Sequence, residues 1–280
     1  MNIQPFKMTG VLRFDELNSL LLPEPELGVG GFGTKSIFKT KDRYCVAGTP
    51  YGTVIRFCHR KATPSPKQVA QELELECDAY IANSGGLFPT AQQKRAFRGD
   101  IVRHLTAQTV PTDTDIYVYV FNNYLLVGTT SSSDTQSILR AIESCGAPTV
   151  PAVAGYNATH KTVMAGMVDN FHAEPSFHMR DSSGCTMAIG NTTVNSNIIQ
   201  PHLDKGFVYE GCKFVSELGQ FELRPTSYRS CALAKPVAVQ LAAESEESPE
   251  VFEATHAAAI MAMMILPIDE LAKLNTDSAS

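Results

Sequence analysis

The chain of 280 residues has no run of about 18 uninterrupted apolar residues, so no conventional membrane-spanning helix is expected. Its first residues, Met1 to Gly10, hold no apolar stretch of the kind a secretory signal needs. It has no C-x-x-C pair and no internal repeat, which argues against a redox or zinc-ribbon motif and against a solenoid. Charged residues make up 19% and hydrophobic residues 44%. That composition excludes wholesale disorder, a coiled-coil rod and a collagen-like fibre, and it is enough to build a core without disulfides.

What is present is unevenly distributed. The seven cysteines are scattered through the chain, as expected for reduced thiols in a cytosol-like compartment. The net charge is −6. Residues 1–110 carry 14 Lys and Arg against 10 Asp and Glu, while residues 111–280 carry 9 against 19. The first part is therefore positive by four and the rest negative by ten. An acidic average does not prevent one surface from collecting cations.

Three parts are expected within one intertwined α+β fold: a β-rich start over 1–64, a central segment over 65–151, and an α+β remainder over 152–280. In the first, a strand over 6–14 with Gly10 as a bulge and a helix from Asp15 to Leu22 precede a Pro/Gly loop over 23–34. Strands follow at Ser36–Phe38, Tyr44–Ala47 and Thr53–His59. In the central part, Ser65-Pro66-Lys67-Gln68 combines a capping serine, proline at the first helical position and glutamine two residues later. Apolar residues at helical spacing then predict a helix over 66–83. Thr90-Ala91-Gln92-Gln93 repeats the capping pattern before a helix over 91–106, and together the two make an αα-hairpin. Strands at Ile116–Phe121 and Tyr124–Gly128 meet at Asn122-Asn123, a tight turn. Ser131–Ser133 with Asp134 caps a helix to Ser144, with Gly146 just past its end. The central order is thus ααββα. In the last part the expected strands are Val150–Val153, Val163–Val168, Met187–Ile189 and Val237–Ala242. A hairpin of Phe207–Leu218 and Gln220–Leu223 turns at Gly219. A short helix spans Asn195–Leu203, and a polar, acidic stretch covers Glu244–Glu250. A buried helix runs from Pro249 to about Leu266, because Ala257–Ile265 is apolar on every side. A short helical turn over 268–274 follows it.

Gly28-Val29-Gly30-Gly31-Phe32-Gly33 has the spacing G-x-G-x-x-G, and Gly28 to Ser36 approaches a P-loop. A cofactor site needs a buried strand before the glycines and a helix opening from them. Pro23-Glu24-Pro25-Glu26 and a β-like basic stretch flank them instead, so a glycine loop is the better reading. His160, His172 and His178 lie near Asp169, Glu174 and Asp181 but lack zinc-ligand spacing. Cys185 with His178 has no nucleophile signature around it. No cofactor, metal or catalytic residue is expected.

The basic residues form three groups: Lys35, Lys39, Lys41 and Arg43; Arg56, Arg60, Lys61 and Lys67, with His59; and Lys94, Arg95, Arg98 and Arg103. Several cations on one surface are what phosphate binding requires, because each releases counterions. The plainer reading is solvated helix faces and strand edges.

The order of elements adds to this. Val54-Ile55-Arg56-Phe57-Cys58, then Arg60-Lys61, then Pro64-Ser65-Pro66-Lys67-Gln68-Val69 opens the central part. Gly99-Asp100-Ile101-Val102-Arg103-His104-Leu105 ends its second helix, and Gly146 to Pro151 follows its last. Together with Gly206 to Arg224, Phe252 to Leu274 and the chain length, this pattern resembles the RdgC family of recombination-associated DNA-binding proteins. The resemblance is strongest over 54–151. It implies an α+β homodimer closed as a ring around double-stranded DNA and a cytoplasmic, nucleoid-associated protein. Binding would be largely independent of sequence, with RecA-type filaments tuned indirectly and no catalysis. The twelve basic residues above would then be the DNA contacts. Two stretches depart from the family. Leu105–Val110 stands where the family has Leu-Leu-Pro-Arg-Ala-Phe, and Ala188–Asn191 where it has Lys-Lys-Gln. An interaction protein on the same scaffold without DNA is the alternative, and a nucleotide- or metal-dependent enzyme a further one.

Overall fold

The computed structural model describes residues 2–38, 44–152, 176–190, 197–215, 219–223, 228–235, 237–238, 241 and 249–265. The strand expected at 163–168, the turn at 268–274, most of the acidic stretch after Ala243, and His160 and His172 lie outside them. The fold is α+β and divides into two compact units. One holds residues 1–21, 34–57 and 116–280, the other residues 22–33 and 58–115.

The first unit is built on a sheet. Its strands are β1 (Asn2–Met8), β3 (Val46–Thr49), β4 (Gly52–Lys61), β5 (Thr112–Phe121), β6 (Tyr124–Val127), β7 (Thr149–Pro151), β8 (Ser176–Arg180), β9 (Thr186–Ile189), β10 (Val208–Val215), β11 (Gly219–Leu223) and β12 (Tyr228–Leu233). A further strand, β2 (Gly31–Thr34), lies next to β4. Neighbour to neighbour the order is β4-β5-β6-β1-β12-β11-β10-β8-β9, with β3 beside β4 and β7 beside β1. Strand β1 joins the two ends of the chain. Gln4 to Lys7 pair with β6, while Asn2 and Ile3 pair with Arg229 and Tyr228 of β12.

The expected Asn122-Asn123 turn is present, and Asn122 takes φ 53°, the only positive value at a non-glycine among the described residues. Helix α4 (Ser132–Ser144) starts as its cap predicts, with Ser131 Oγ accepting from the Asp134 amide. Gly146 follows at φ 95°. Two shorter helices are α1 (Phe14–Leu17), continued by a 3₁₀ turn at Asn18–Leu20, and α5 (Gln200–Asp204). The C-terminal helix α6 (Pro249–Ala262) buries Ala254, Ala257, Ala258 and Met261 in a core with Ile3, Tyr119, Leu126 and Phe221. Its small side chains let sheet residues approach closely. The Tyr119 hydroxyl donates to the Tyr51 carbonyl, and burial pushes its pKa up to about 12.

Several expectations are corrected. The first strand runs from Asn2 to Met8, so Gly10 lies past its end and is no bulge. The first helix is one turn long and gives way to the 3₁₀ turn before reaching Leu22. Tyr44 and Cys45 precede strand β3 instead of opening it. The glycine loop contains strand β2, whereas Ser36–Phe38 is not a strand. Thr34 is fully buried there, donating to the Leu17 carbonyl at 2.9 Å, and this anchorage outweighs the low strand propensity of glycine. Gly219 begins β11 and pairs with Leu233, which excludes it from the turn. Val237 and Ala238 are helical, the Ala238 amide donating to the Ala234 carbonyl at 3.0 Å, so a local helical bond stands where a strand was expected. The short helix starts at Gln200 instead of Asn195 and takes Pro201 within its first turn, where the missing N–H costs nothing.

Candidate nucleic-acid interface

The second unit presents the helical hairpin. Helix α2 (Pro66–Asn83) has the expected bounds, and α3 (Ala91–Gln108) runs slightly longer than expected. The two starts differ. Thr90 and Gln93 form the reciprocal capping box, whereas the Ser65 side chain makes no capping bond and only its carbonyl is used, accepting from Val69 at 3.0 Å. The helices hold each other through the Tyr80 and Phe97 rings, 5.8 Å apart, and through Gln93 Nε2 donating to the Tyr80 hydroxyl at 2.9 Å. Only Val69 of α2 and no residue of α3 is buried. Two helices of this length with so little covered present most of their surface to solvent.

Strand ends and the glycine loop brace this hairpin within the unit. Gly28, at φ 74°, comes so near the helix that an added Cβ would lie 2.7 Å from Ala107 Cα. Its amide donates to the Thr109 carbonyl at 3.0 Å. Gly28 therefore serves close packing on α3, whereas a Cβ at Gly30 would meet the Arg60 carbonyl at 3.1 Å. The loop also runs into strand β2 and not into a helix, so it lacks the helix N-terminus that a dinucleotide or P-loop site uses.

The candidate cations separate into distinct roles. Lys39, Lys41 and Arg43 lie outside the described residues. In the first unit Lys35 is half-buried, and its amide donates to the Arg56 carbonyl at 2.9 Å. Arg56 is committed internally: Nη1 donates to the Ser36 carbonyl at 3.0 Å, and Nη2 lies 4.0 Å from Glu253 of α6. In the second unit Arg60 is buried, 5% exposed, and clasped by both Asp113 oxygens at 2.8 and 3.1 Å. That carboxylate raises the guanidinium pKa further. Arg103 is exposed but pairs with Asp100 one helical turn before it. Lys61, Lys67, Lys94, Arg95 and Arg98 are exposed and make no ion pair among the described residues.

Of these, Lys94, Arg95 and Arg98 sit in the first two turns of α3, and Lys67 in the first turn of α2. Cations there oppose the helix macrodipole, whose positive end favours carboxylates, and neither first turn holds an acidic residue. At the start of α3 the free amides and the Lys94, Arg95 and Arg98 side chains add to one positive field, suited to phosphate oxygens, while Lys67 stands at the opposite end of the antiparallel hairpin. The connection between the helices exposes Leu87 and Phe88, 66% and 78% accessible. These two apolar residues are not signalled by any periodicity; their only cue is their place between Gly85-Gly86 and Pro89-Thr90. Helix α2 in contrast carries Glu72, Glu74, Glu76 and Asp78, all exposed.

The alternative chemistries find little frame. Among the described residues no three His, Cys, Asp or Glu side chains are placed to hold a metal ion. His178 lies 3.9 Å from the buried Glu222. Cys185 is exposed on the β8–β9 turn, where Asp181 accepts from the amides of Ser183 and Cys185 at 2.9 and 2.8 Å and its pKa is lowered. Among the described helices none is long and apolar enough to cross a membrane. No protein-family model matches this chain, and no curated protein matches it at a significant level.

Proposed function

We propose that this chain is a non-enzymatic double-stranded DNA-binding protein that encircles duplex DNA as a ring-shaped homodimer and modulates homologous recombination, acting on RecA-type filaments indirectly. The observation that carries the reading is the trio Lys94, Arg95 and Arg98, exposed and without an ion pair among the described residues at the start of α3, where the helix dipole adds to their charge. Lys61 and Lys67 contribute from the same unit. The RdgC-like order of elements supplies the ring and the recombination role.

Two copies would double the phosphates that one chain neutralises, and closure would slow loss of the duplex even if each interaction is modest. The acidic excess of ten over residues 111–280 would suit surfaces turned away from DNA. Cations aimed at phosphates read no sequence, so affinity would be similar on all duplexes.

Titration against a labelled random-sequence duplex at several salt concentrations tests the reading. Log K should fall linearly with log salt, with a slope of about −0.9 for each phosphate neutralised. Absence of binding at low salt overturns it. The second reading, an interaction protein without DNA, draws on Arg56, Arg60 and Arg103, whose charges are already engaged within the chain.

A further inference from the structure

We infer that the groove between α2 and α3 docks a basic, amphipathic helical segment of a protein partner. This inference is independent of DNA binding. The groove has a volume of about 290 Å³ and an apolar floor of Phe97, Ile101 and Leu105. Glu72 and Glu76 line its rim, together with Asp100, whose charge is already paired with Arg103. The volume lies at the lower limit of small-molecule sites, about 300 Å³, and suits one or two protruding side chains.

Charge selects the occupant. Glu72 and Glu76 are one turn apart on the same helix and are exposed, with no ion pair among the described residues. Like charges at that spacing destabilise a helix slightly, and Coulomb repulsion of this kind is relieved by a cation between them. Duplex DNA and anionic lipid are repelled by the same carboxylates. A small ion is disfavoured, because no three ligands are placed for it among the described residues and the floor is apolar. A partner helix with apolar residues at i and i+3 or i+4, flanked by Lys or Arg, meets both features of the groove.

Of the phosphate-seeking cations on α3, only Arg95 lies well away from the groove; Lys94 and Arg98 lie about 20° and about 60° from Ile101 around the helix, on the side of its floor. His104 lines the groove, and Arg95 is nine residues before it, which places them about 180° apart around the helix.

The probe is a labelled Leu/Lys peptide of about five helical turns with its leucines on one face, read by fluorescence anisotropy against the full chain. A scrambled peptide of equal composition is the control. The amphipathic peptide should bind at least about tenfold more tightly than the scrambled one. Glu72→Lys with Glu76→Lys should remove about that factor, with duplex affinity kept or raised. If the lysines unfold α2, seen as lost helical circular dichroism, Glu72→Gln with Glu76→Gln carries the test and should weaken peptide binding several-fold. Equal binding of both peptides, or unchanged peptide affinity in folded variants, overturns the inference.

Discussion

Arg60 on β4 and Asp113 on β5 form a two-point ion pair, Nε to one carboxylate oxygen at 2.8 Å and Nη2 to the other at 3.1 Å. The remaining Nη1 donates to the Pro23 carbonyl at 2.7 Å. One guanidinium thus ties two strand ends to the start of the glycine loop. Removing the carboxylate leaves a buried cation without its partner, which costs about 3–5 kcal/mol. Asp113→Ala should lower the urea midpoint by the corresponding amount, and Asp113→Asn by less, since the amide oxygen still accepts. Midpoints that barely move would show that the pair is not buried in solution.

The two helix starts predict opposite results for similar substitutions. Thr90→Ala deletes the bond that Thr90 Oγ1 accepts from the Gln93 amide, one half of a formed capping box, and should cost about 1 kcal/mol. Ser65→Ala removes a side chain that caps nothing, and its cost should fall within about 0.5 kcal/mol. Equilibrium unfolding of the two variants separates them, and hydrogen exchange in the first turn of α3 should accelerate only in Thr90→Ala.

Cys45 is buried, and desolvation pushes its thiol pKa up to about 11 from 9.0. The folded state then resists ionisation that the unfolded state undergoes. Its contribution is fully present below pH 9 and is lost as pH rises through 9 to 11, by ~2–3 kcal/mol at the top. Wild-type stability should fall over that window, and Cys45→Ala should flatten the fall. Cys145, also buried and raised in the same way, adds to the wild-type slope. A thiol reagent at neutral pH should label the exposed Cys185 long before Cys45.

The sequence makes the hairpin and the ββα that follows it readable because their signals are local. Proline at the start of α2, the capping box at Thr90, Asn122 in its turn and Ser131 before α4 each fix a boundary within a few residues. The misread elements depend on distant partners. Strand β2 is held through Thr34, whose hydroxyl donates to the Leu17 carbonyl. The discontinuous units are equally hidden, since each is assembled from segments far apart in the chain. Within the candidate interface, charge and helical spacing identify Lys94, Arg95 and Arg98. Neither shows that Arg60 is spent on Asp113 or that Arg103 is spent on Asp100, because both depend on which carboxylate comes within reach.

The most direct test of the account compares the salt dependence of duplex binding in the wild type with that of Arg95→Glu/Arg98→Glu. The proposed role predicts weaker binding on every sequence tested and a log–log slope shallower by about 3.6, about 0.9 for each of the four phosphates that the two copies no longer neutralise. The same affinity and the same slope in a folded variant would contradict it, and the start of α3 would not be a phosphate site.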